Sequence, residues 1–435
     1  MQLIRTLKPI LGIVAAGTIL SACNSVPSSE SQKDTEVTSL SVIDTYIQIA
    51  ETSYQDSLST AQALDKAVDT FLSSPTEDTL TKTKDAWIAA RAPYQQTEVY
   101  RFGNELVDDW EGKVNAWPLD EGLIDYVDAN YGTESDENPF YNANIIANAS
   151  PIIGGKAVDA KTISKAFLSE TLHEIDEVES NVATGYHVIE FLLWGQDLNG
   201  TNPGAGTRPA SDFSLTNCTV GNCERRRDYL KSATSLLIDD LQEMANSWKE
   251  EGEARLALQA KGDKGGLETI LTGMGSLAYG ELAGERIKLG LMLHDPEEEH
   301  DCFSDNTHWS HFYDAKGIKN IYLGEYLNSK SNLFSGPSLS DLVKQAQPDL
   351  DAEMKEKLTT TESAMQIMVD QAQKGNTFDV LIGEGNTKGN QIIKDIVVAL
   401  VDQAKTTEKI ILTLALGDIE LEGSNSLDDP KSVLE

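Results

Sequence analysis

One short apolar stretch of the chain contains a histidine and a glutamate at a spacing that suits metal binding. His187 and Glu190 lie within residues 185–195, Gly-Tyr-His-Val-Ile-Glu-Phe-Leu-Leu-Trp-Gly. Side chains three residues apart share one face of a helix, so the imidazole and the carboxylate can meet one divalent cation. A buried His–Glu hydrogen bond in a helical core explains the same spacing. The spacing alone leaves both interpretations open.

A second group of candidate ligands lies between positions 294 and 311. Four of the six histidines of the chain lie there, separated by acidic residues and a cysteine. Imidazole suits iron, zinc or copper, and carboxylates suit iron or manganese. The members of this alternative metal cluster are His294, His300, Cys302, Asp305 and His308. An acidic loop with capping aspartates and packed histidines is the other interpretation.

A mixed row of polar and aromatic residues follows one side of a helix predicted for residues 77–101. Its members, at steps of four, three, four and three, are Trp87, Arg91, Tyr94, Glu98 and Arg101. A solvated face does not select Trp and Tyr, and an apolar core does not select two arginines and a glutamate. We therefore expect a lined cleft or an internal ladder of ion pairs.

These patterns together predict a metal site in a cleft between helices of the N-terminal half. The predicted ligands are His187, Glu190, Glu98, Asp120 and Glu121, supported by Arg91, Tyr94 and Arg101. An ionised glutamate on so apolar a helix is costly to bury unless a cation or a hydrogen-bond donor meets it. Direct pairing of Arg91 with Glu190 would meet the same need and make the site structural.

The N-terminus has the pattern of a lipoprotein signal peptide. Residues 1–22 begin with basic side chains and contain an apolar stretch, 9–20, that is too short to span a membrane. A Leu-Ser-Ala-Cys sequence then ends at Cys23, the expected point of lipid attachment, and residues 23–38 are an expected flexible tether. A plain secretory signal is the alternative. Asn24 favours an outer-membrane anchor, facing the periplasm or the cell surface.

The charge of the chain excludes some classes of partner. Its formal net charge is −35, and the loss of residues 1–22, with two basic and no acidic side chains, would make it −37. Such acidity argues against nucleic acids and anionic lipid surfaces. It fits the capture of cations, and it fits equally well the solubility of a salt-adapted protein.

Two cysteines predict a local crosslink. Cys218 and Cys223 flank a turn-like Thr-Val-Gly-Asn sequence. In an exported protein such a pair is expected to form a disulfide that closes a small loop.

Helical periodicity dominates the rest of the chain, with few alternating strand patterns. We predict an all-α fold of two helical bundles, residues 39–261 and 267–435, joined by a glycine-rich linker at 262–266. The two halves could be a diverged duplication. Residues 158–194 are expected to be helical with a break near Gly185.

Several separated motifs resemble the imelysin-like family of bacterial envelope proteins. They are G-x-H-x-x-E with F-L-L-W-G at 185–195, W-x3-R-x2-Y-x3-E at 87–98, residues 117–122 with 124–126, and Gly-Glu-Arg at 284–286. The run at 300–308 resembles the branch called iron-regulated protein A. The resemblance extends from about Val42 to the C-terminus.

This resemblance implies an all-helical fold of two bundles, a candidate metal site at H-x-x-E and a link to iron acquisition. The expected function is an envelope-anchored accessory that binds a metal, iron before zinc, and works with an iron-uptake transporter. A zinc metallopeptidase is the alternative, but the second histidine of H-E-x-x-H is missing after His187, and no catalytic residue is predicted. A metal-free envelope binding module is the third possibility.

Overall fold

Helices make up nearly all regular structure in the described residues, 36–132, 135, 138–153 and 155–434, of this computed structural model. The predicted all-α fold is confirmed. The predicted signal peptide, Cys23 and the first part of the tether lie outside the described residues. Within the described ranges, no helix is both long enough and apolar enough to cross a membrane.

Eight α-helices form the first half of the fold. They are α1 (Ser39–Ser73), α2 (Glu77–Gln95), α3 (Glu105–Asn115), α4 (Glu121–Ile124), α5 (Lys165–Phe167), α6 (Gly185–Trp194), α7 (Cys223–Ser247) and α8 (Glu253–Ala260). Short 3-10 turns lie at Glu98–Tyr100, Ala129–Tyr131, Ile175–Glu177 and Ala210–Phe213, and a π-helical turn at Leu168–Leu172. A two-residue hairpin pairs β1 (Ile152–Ile153) with β2 (Lys156–Ala157) in antiparallel fashion.

The second half begins with one long helical rod. Its parts are α9 (Gly262–Ser276), a π-helical segment (Leu277–Lys288) and α10 (Leu289–Leu293). After a 3-10 turn at Pro296–Glu298 come α11 (Thr307–Leu323), α12 (Leu339–Ala346), α13 (Pro348–Ala372), α14 (Phe378–Ile382), α15 (Thr387–Thr413) and α16 (Asn425–Asp428). A second antiparallel hairpin joins β3 (Glu325–Leu327) to β4 (Leu333–Ser335).

Helix α2 shows how local sequence sets the boundaries. Thr76 caps it through a hydrogen bond from the Thr79 amide to the Thr76 hydroxyl, and Thr79 returns the contact. The helix ends at Gln95, before the predicted end at residue 101, two residues after Pro93. Proline cannot donate the intrahelical hydrogen bond, so the chain tightens into the 3-10 turn that carries Glu98.

Two local predictions were wrong. Residues 158–194 contain only short helical turns before α6, because Glu174, Asp176 and Glu177 adopt positive φ angles of 51°, 66° and 63° that a helix does not allow. The predicted linker at 262–266 is instead the first turn of α9. Residues 37–435 form one compact unit, in which α1 packs on α9 and α2 on α11. The division into two bundles stays a prediction.

Helix α6 lies at the centre of the packing around the site. It contacts α2, α3 and α7, and all ten of its residues are buried. The His187 imidazole and the Glu190 carboxylate are therefore removed from water, and each needs a polar partner inside the protein.

A candidate metal centre

The start of α6 is fixed by a glycine. Gly185 has a φ of +85°, and a Cβ at this position would lie 2.5 Å from the carbonyl oxygen of Val114 in α3. Only glycine tolerates both conditions. The Trp87 indole of α2 then donates to the Tyr186 carbonyl oxygen at 3.0 Å. The glycine of the G-x-H-x-x-E motif thus lets α6 begin directly against α3.

His187 and Glu190 contact each other rather than pointing together into open space. His187 Nδ1 lies 3.1 Å from Glu190 Oε2. The other oxygen, Oε1, accepts hydrogen bonds from the Ser304 amide at 2.9 Å and the Ser304 hydroxyl at 2.7 Å. Glu190 therefore orients the imidazole and anchors the loop before α11.

The other imidazole nitrogen of His187 is free to act as a ligand. His187 Nε2 is buried and has no hydrogen-bond partner among the described residues. In the tautomer that carries its proton on Nδ1, the imidazole donates to Glu190 and keeps its lone pair on Nε2, which is the usual arrangement of metal-binding histidines. The orphaned nitrogen is the observation that fits a metal at this position.

The loop before α11 brings two further ligand groups to His187. Single ligand atoms of His187, His300 and Asp301 all lie within 4.8 Å of one another. His300 Nδ1 is 3.4 Å from Asp301 Oδ1, and the rings of the two histidines are 4.7 Å apart. All three side chains are at most 2% exposed. Two groups that are far apart in the sequence thus form one site of two imidazoles and a carboxylate.

Arg91 is the cation that contacts this site in the structure. Its Nη2 donates to Asp301 Oδ1 at 2.8 Å and lies 3.4 Å from His300 Nδ1, while Nη1 donates to Asn115 Oδ1 at 2.6 Å. Arg91 therefore pairs with Asp301, not with Glu190 as in the structural alternative. The guanidinium and a metal would compete for the same carboxylate oxygen.

Burial and charge set the protonation states of the site. Burial, together with the positive charge of Arg91, lowers the pKa of His187 to about 3. Burial would raise the pKa of Asp301, but Arg91 and His300 hold it well below its usual range. Burial and the charge of Asp301 raise the pKa of Glu190 well above its usual range. At neutral pH the imidazoles are neutral and Asp301 is ionised, which are the forms that bind metals.

The other predicted ligand of the polar row lies in a separate ion-pair network. Glu98 Oε2 accepts from Arg286 Nη2 at 2.7 Å and lies 3.5 Å from Arg101. Arg286 also bonds Glu281, five residues earlier in the π-helical segment, at 2.7 Å. Asn115 lies between this network and Arg91, and its Nδ2 is 3.5 Å from Glu98 Oε1.

Tyr94 and the predicted acids after residue 117 take other positions. The Tyr94 ring lies 5.7 Å from the guanidinium carbon of Arg91. Asp120 accepts hydrogen bonds from Asn138 and Ser180, and Glu121, whose pKa burial raises to about 7, lines the same small cleft of about 330 Å³. The structure does not bring Asp120 or Glu121 into the group of His187.

The alternative cluster of the sequence divides among several places. His300 joins His187, whereas His294 Nδ1 contacts the Ile382 carbonyl oxygen. Cys302 lines the small cleft, and Asp305 lies with two other aspartates. The His308 ring packs beside Trp309, 5.9 Å between centroids. Of this run, only His300 and its neighbour Asp301 reach the centre.

A larger cleft leads to His300. It has a volume of about 660 Å³, and six glutamates and two arginines line it, including Glu111, Glu281, Arg101 and Arg286. Acidic walls concentrate cations near a cleft. The sequence could not locate this cleft, because its lining comes from α3, the π-helical segment and the loop before α11.

The predicted crosslink is confirmed. Cys218 and Cys223 form a disulfide, with their Cα atoms 5.9 Å apart. It closes the loop that precedes α7, and Cys223 is the first residue of that helix.

Comparisons with known proteins agree with this fold. A family model described as imelysin, with the label of a peptidase family, matches residues 50–407. Iron-regulated protein A of Synechococcus elongatus is 29% identical over 114 residues, which cover 26% of this chain and 30% of that protein. The match thus spans less than a third of that relative.

Two solved structures share the architecture. One is described as a candidate iron-regulated protein A precursor from Parabacteroides distasonis, with a TM-score of 0.63, 20% identity and coverage of 88% of this chain and 97% of that one. An imelysin-like protein from Psychrobacter arcticum has a TM-score of 0.56, 12% identity and coverage of 87% and 97%. At these identities the likeness concerns the fold alone.

Proposed function

Because this chain belongs to the imelysin family, we propose that it binds a metal ion as an accessory in iron acquisition. Iron is the first candidate for this metal and zinc is the second. The ligands in this proposal are His187, His300 and Asp301. Glu190 holds the His187 ring in place. Ser304 holds Glu190 in turn, so the loop before α11 is tied to α6 through Glu190.

One observation supports the proposal above the others: two neutral, buried imidazoles and one ionised carboxylate converge, with His187 Nδ1 4.0 Å from Asp301 Oδ1, and His187 Nε2 has no hydrogen-bond partner among the described residues. Two histidines and one carboxylate with open positions are the donor set typical of non-haem Fe(II). Zinc accepts the same donors. The names of the relatives, which refer to iron regulation, favour iron.

The cellular role in this proposal has two further parts. A lipid on Cys23 would hold the protein at the outer membrane, and a transporter for iron would take the metal from it. The acidic lining of the larger cleft would attract the cation toward His300.

A metallopeptidase is the second candidate, since the matching family model carries a peptidase label. Such an enzyme needs a carboxylate free to take a proton from a metal-bound water. Both oxygens of Glu190 are occupied, by Ser304 and by His187. The geometry therefore favours binding over hydrolysis.

Metal content and affinity test the proposal directly. We expect natively purified protein to contain iron, and anaerobic Fe(II) titration of the metal-depleted protein to saturate at one ion at this centre. His187→Ala should lower the Fe(II) affinity about tenfold or more while the fold survives. His173→Ala, at a histidine that accepts from the Ala183 amide, is the matched control and should not change the affinity.

The outcomes separate the three functions. Turnover of casein that requires zinc and is lost in Glu190→Gln would favour the peptidase. Absence of any bound metal under both Fe(II) and Zn(II) would favour a metal-free binding module. A His187→Ala protein with a lowered melting temperature and an unchanged Fe(II) affinity would show that the site is structural.

A further inference from the structure

Three aspartates from distant parts of the chain meet on the other side of the loop before α11. Asp197 follows α6, Asp305 precedes α11, and Asp379 lies in α14. One carboxylate oxygen from each lies within 4.8 Å of the others. Like charges at this separation repel strongly away from water.

Positively charged partners that would offset these charges are missing from the described part of the chain. Asp379 is 0% exposed, and neither of its carboxylate oxygens receives a well-formed hydrogen bond, although the Val380 amide lies close enough to lower its pKa. Asp305 Oδ1 is equally without a partner, whereas Asp197 Oδ1 accepts from Asn199. No described lysine or arginine forms an ion pair with any of the three.

A fourth buried carboxyl group belongs to the same negative region. Glu299 is 1% exposed, and its Oε1 has no hydrogen-bond partner in the described ranges. Burial, together with the charges of Asp379 and Asp197, raises the pKa of Asp305 to about 7.

The Thr377 hydroxyl does not compensate for the missing cation. It lies close enough to lower the pKa of Asp305 and Asp379, yet it makes no well-formed hydrogen bond. Burying an ionised carboxylate without a partner is strongly unfavourable. A fold that brings two such carboxylates, Asp305 and Asp379, against the partly exposed Asp197 needs a compensating positive charge.

We propose that Asp197, Asp305 and Asp379 bind a hard divalent cation of the Ca²⁺ class, at a site separate from the one that contains His187. The three recorded ligand groups are all oxygen donors, which suit Ca²⁺ rather than zinc or copper. With Ca–O distances of about 2.3–2.6 Å, oxygens on opposite sides of one ion are roughly 5 Å apart. Three carboxylate oxygens that all lie within 4.8 Å of one another can therefore meet one such ion.

This cation would fasten the loop that carries the other site. Asp305 lies four residues after Asp301, and Asp197 follows the last residue of α6 by three positions. An ion held by both, and by α14, fixes the ends of the two segments that bring His187 and His300 together. The role goes beyond the proposed function, because it does not depend on iron.

A calcium titration with one charge-removing variant tests the inference. Chelator-treated protein should gain a higher melting temperature and show a calorimetric binding signal when CaCl₂ is added. Asp379→Asn should lose both responses, with affinity lowered about tenfold or more. Without calcium, the same variant should melt above the unaltered protein, because it removes one of the repelling buried charges.

Two controls keep the result specific. Asp418→Asn, at an exposed aspartate, should keep the full calcium response. His187→Ala should also keep it, even if it removes iron binding. The inference is overturned if CaCl₂ has no effect on the unaltered protein, if Asp379→Asn responds like it, or if His187→Ala alone abolishes the response.

Discussion

Asp301 is predicted to contribute to stability and to metal binding by two different mechanisms. In Asp301→Asn the amide keeps the shape of the side chain and can keep contacts with Asn306 and Ser310. It removes the charge that faces Arg91, which is only 1% exposed. The guanidinium is then a buried cation without its ion-pair partner.

The size of the effect follows from this loss. Breaking a buried ion pair by removing one partner costs about 3–5 kcal/mol. Unfolding the roughly 400 residues of the unit Val37–Glu435 carries an entropy of about 0.8 kcal/mol per kelvin. The two figures predict a fall in melting temperature of about 4–6 °C.

A double variant separates stability from binding. Adding Arg91→Met to Asp301→Asn removes the uncompensated charge and should recover more than half of the lost melting temperature, because an apolar residue of similar length can replace a buried ion. Iron affinity should not recover, since the carboxylate ligand is still missing. Thermal melts and Fe(II) titrations of both variants measure this. An unchanged melting temperature in Asp301→Asn, or no recovery in the double variant, would refute the reasoning.

Three further outcomes can be checked on the same protein. Gly185→Ala should lower stability by more than Gly385→Ala in chemical denaturation, because both have positive φ but only the first meets backbone atoms. Burial raises the pKa of Asp240 to about 7, so its contribution to stability is full below about pH 4 and is lost as the pH rises through 7; Asp240→Asn should flatten that part of the melting profile. In non-reducing alkylation, the two disulfide cysteines should stay unlabelled, and Cys302, whose pKa burial raises, should react only slowly until the protein unfolds.

The sequence predicted the helices that bury a regular apolar stripe. Helices α1 and α15 lie where helical periodicity dominates the sequence, and α2 begins at Glu77, the start of the helix predicted for residues 77–101. The stretch before α6 was not predictable, because its course depends on three acidic residues in left-handed conformations. Such residues have no distinctive local pattern.

The candidate site was only half visible in the sequence. The spacing of His187 and Glu190 predicted that they share a helix face, and the structure shows their contact. The proximity of His300 and Asp301 to His187 could not be predicted. More than one hundred residues separate them from α6 in the sequence, and no local pattern shows that the two segments lie together in the fold. The sequence did not identify Asn115 as part of the site, because a single asparagine at a helix end gives no specific signal of a functional role.

The π-helical segment Leu277–Lys288 affects how this chain can be compared with other sequences. Its wider turns bring Glu281 and Arg286 together at a spacing of five, which an ordinary α-helix would place on different sides. Deleting one residue here would replace a π-helical turn by an α-helical one and change which side chains of the segment face Glu98. A relative with a one-residue gap in this stretch would therefore present another side chain to Glu98, and an alignment that ignores the gap would match the wrong arginine.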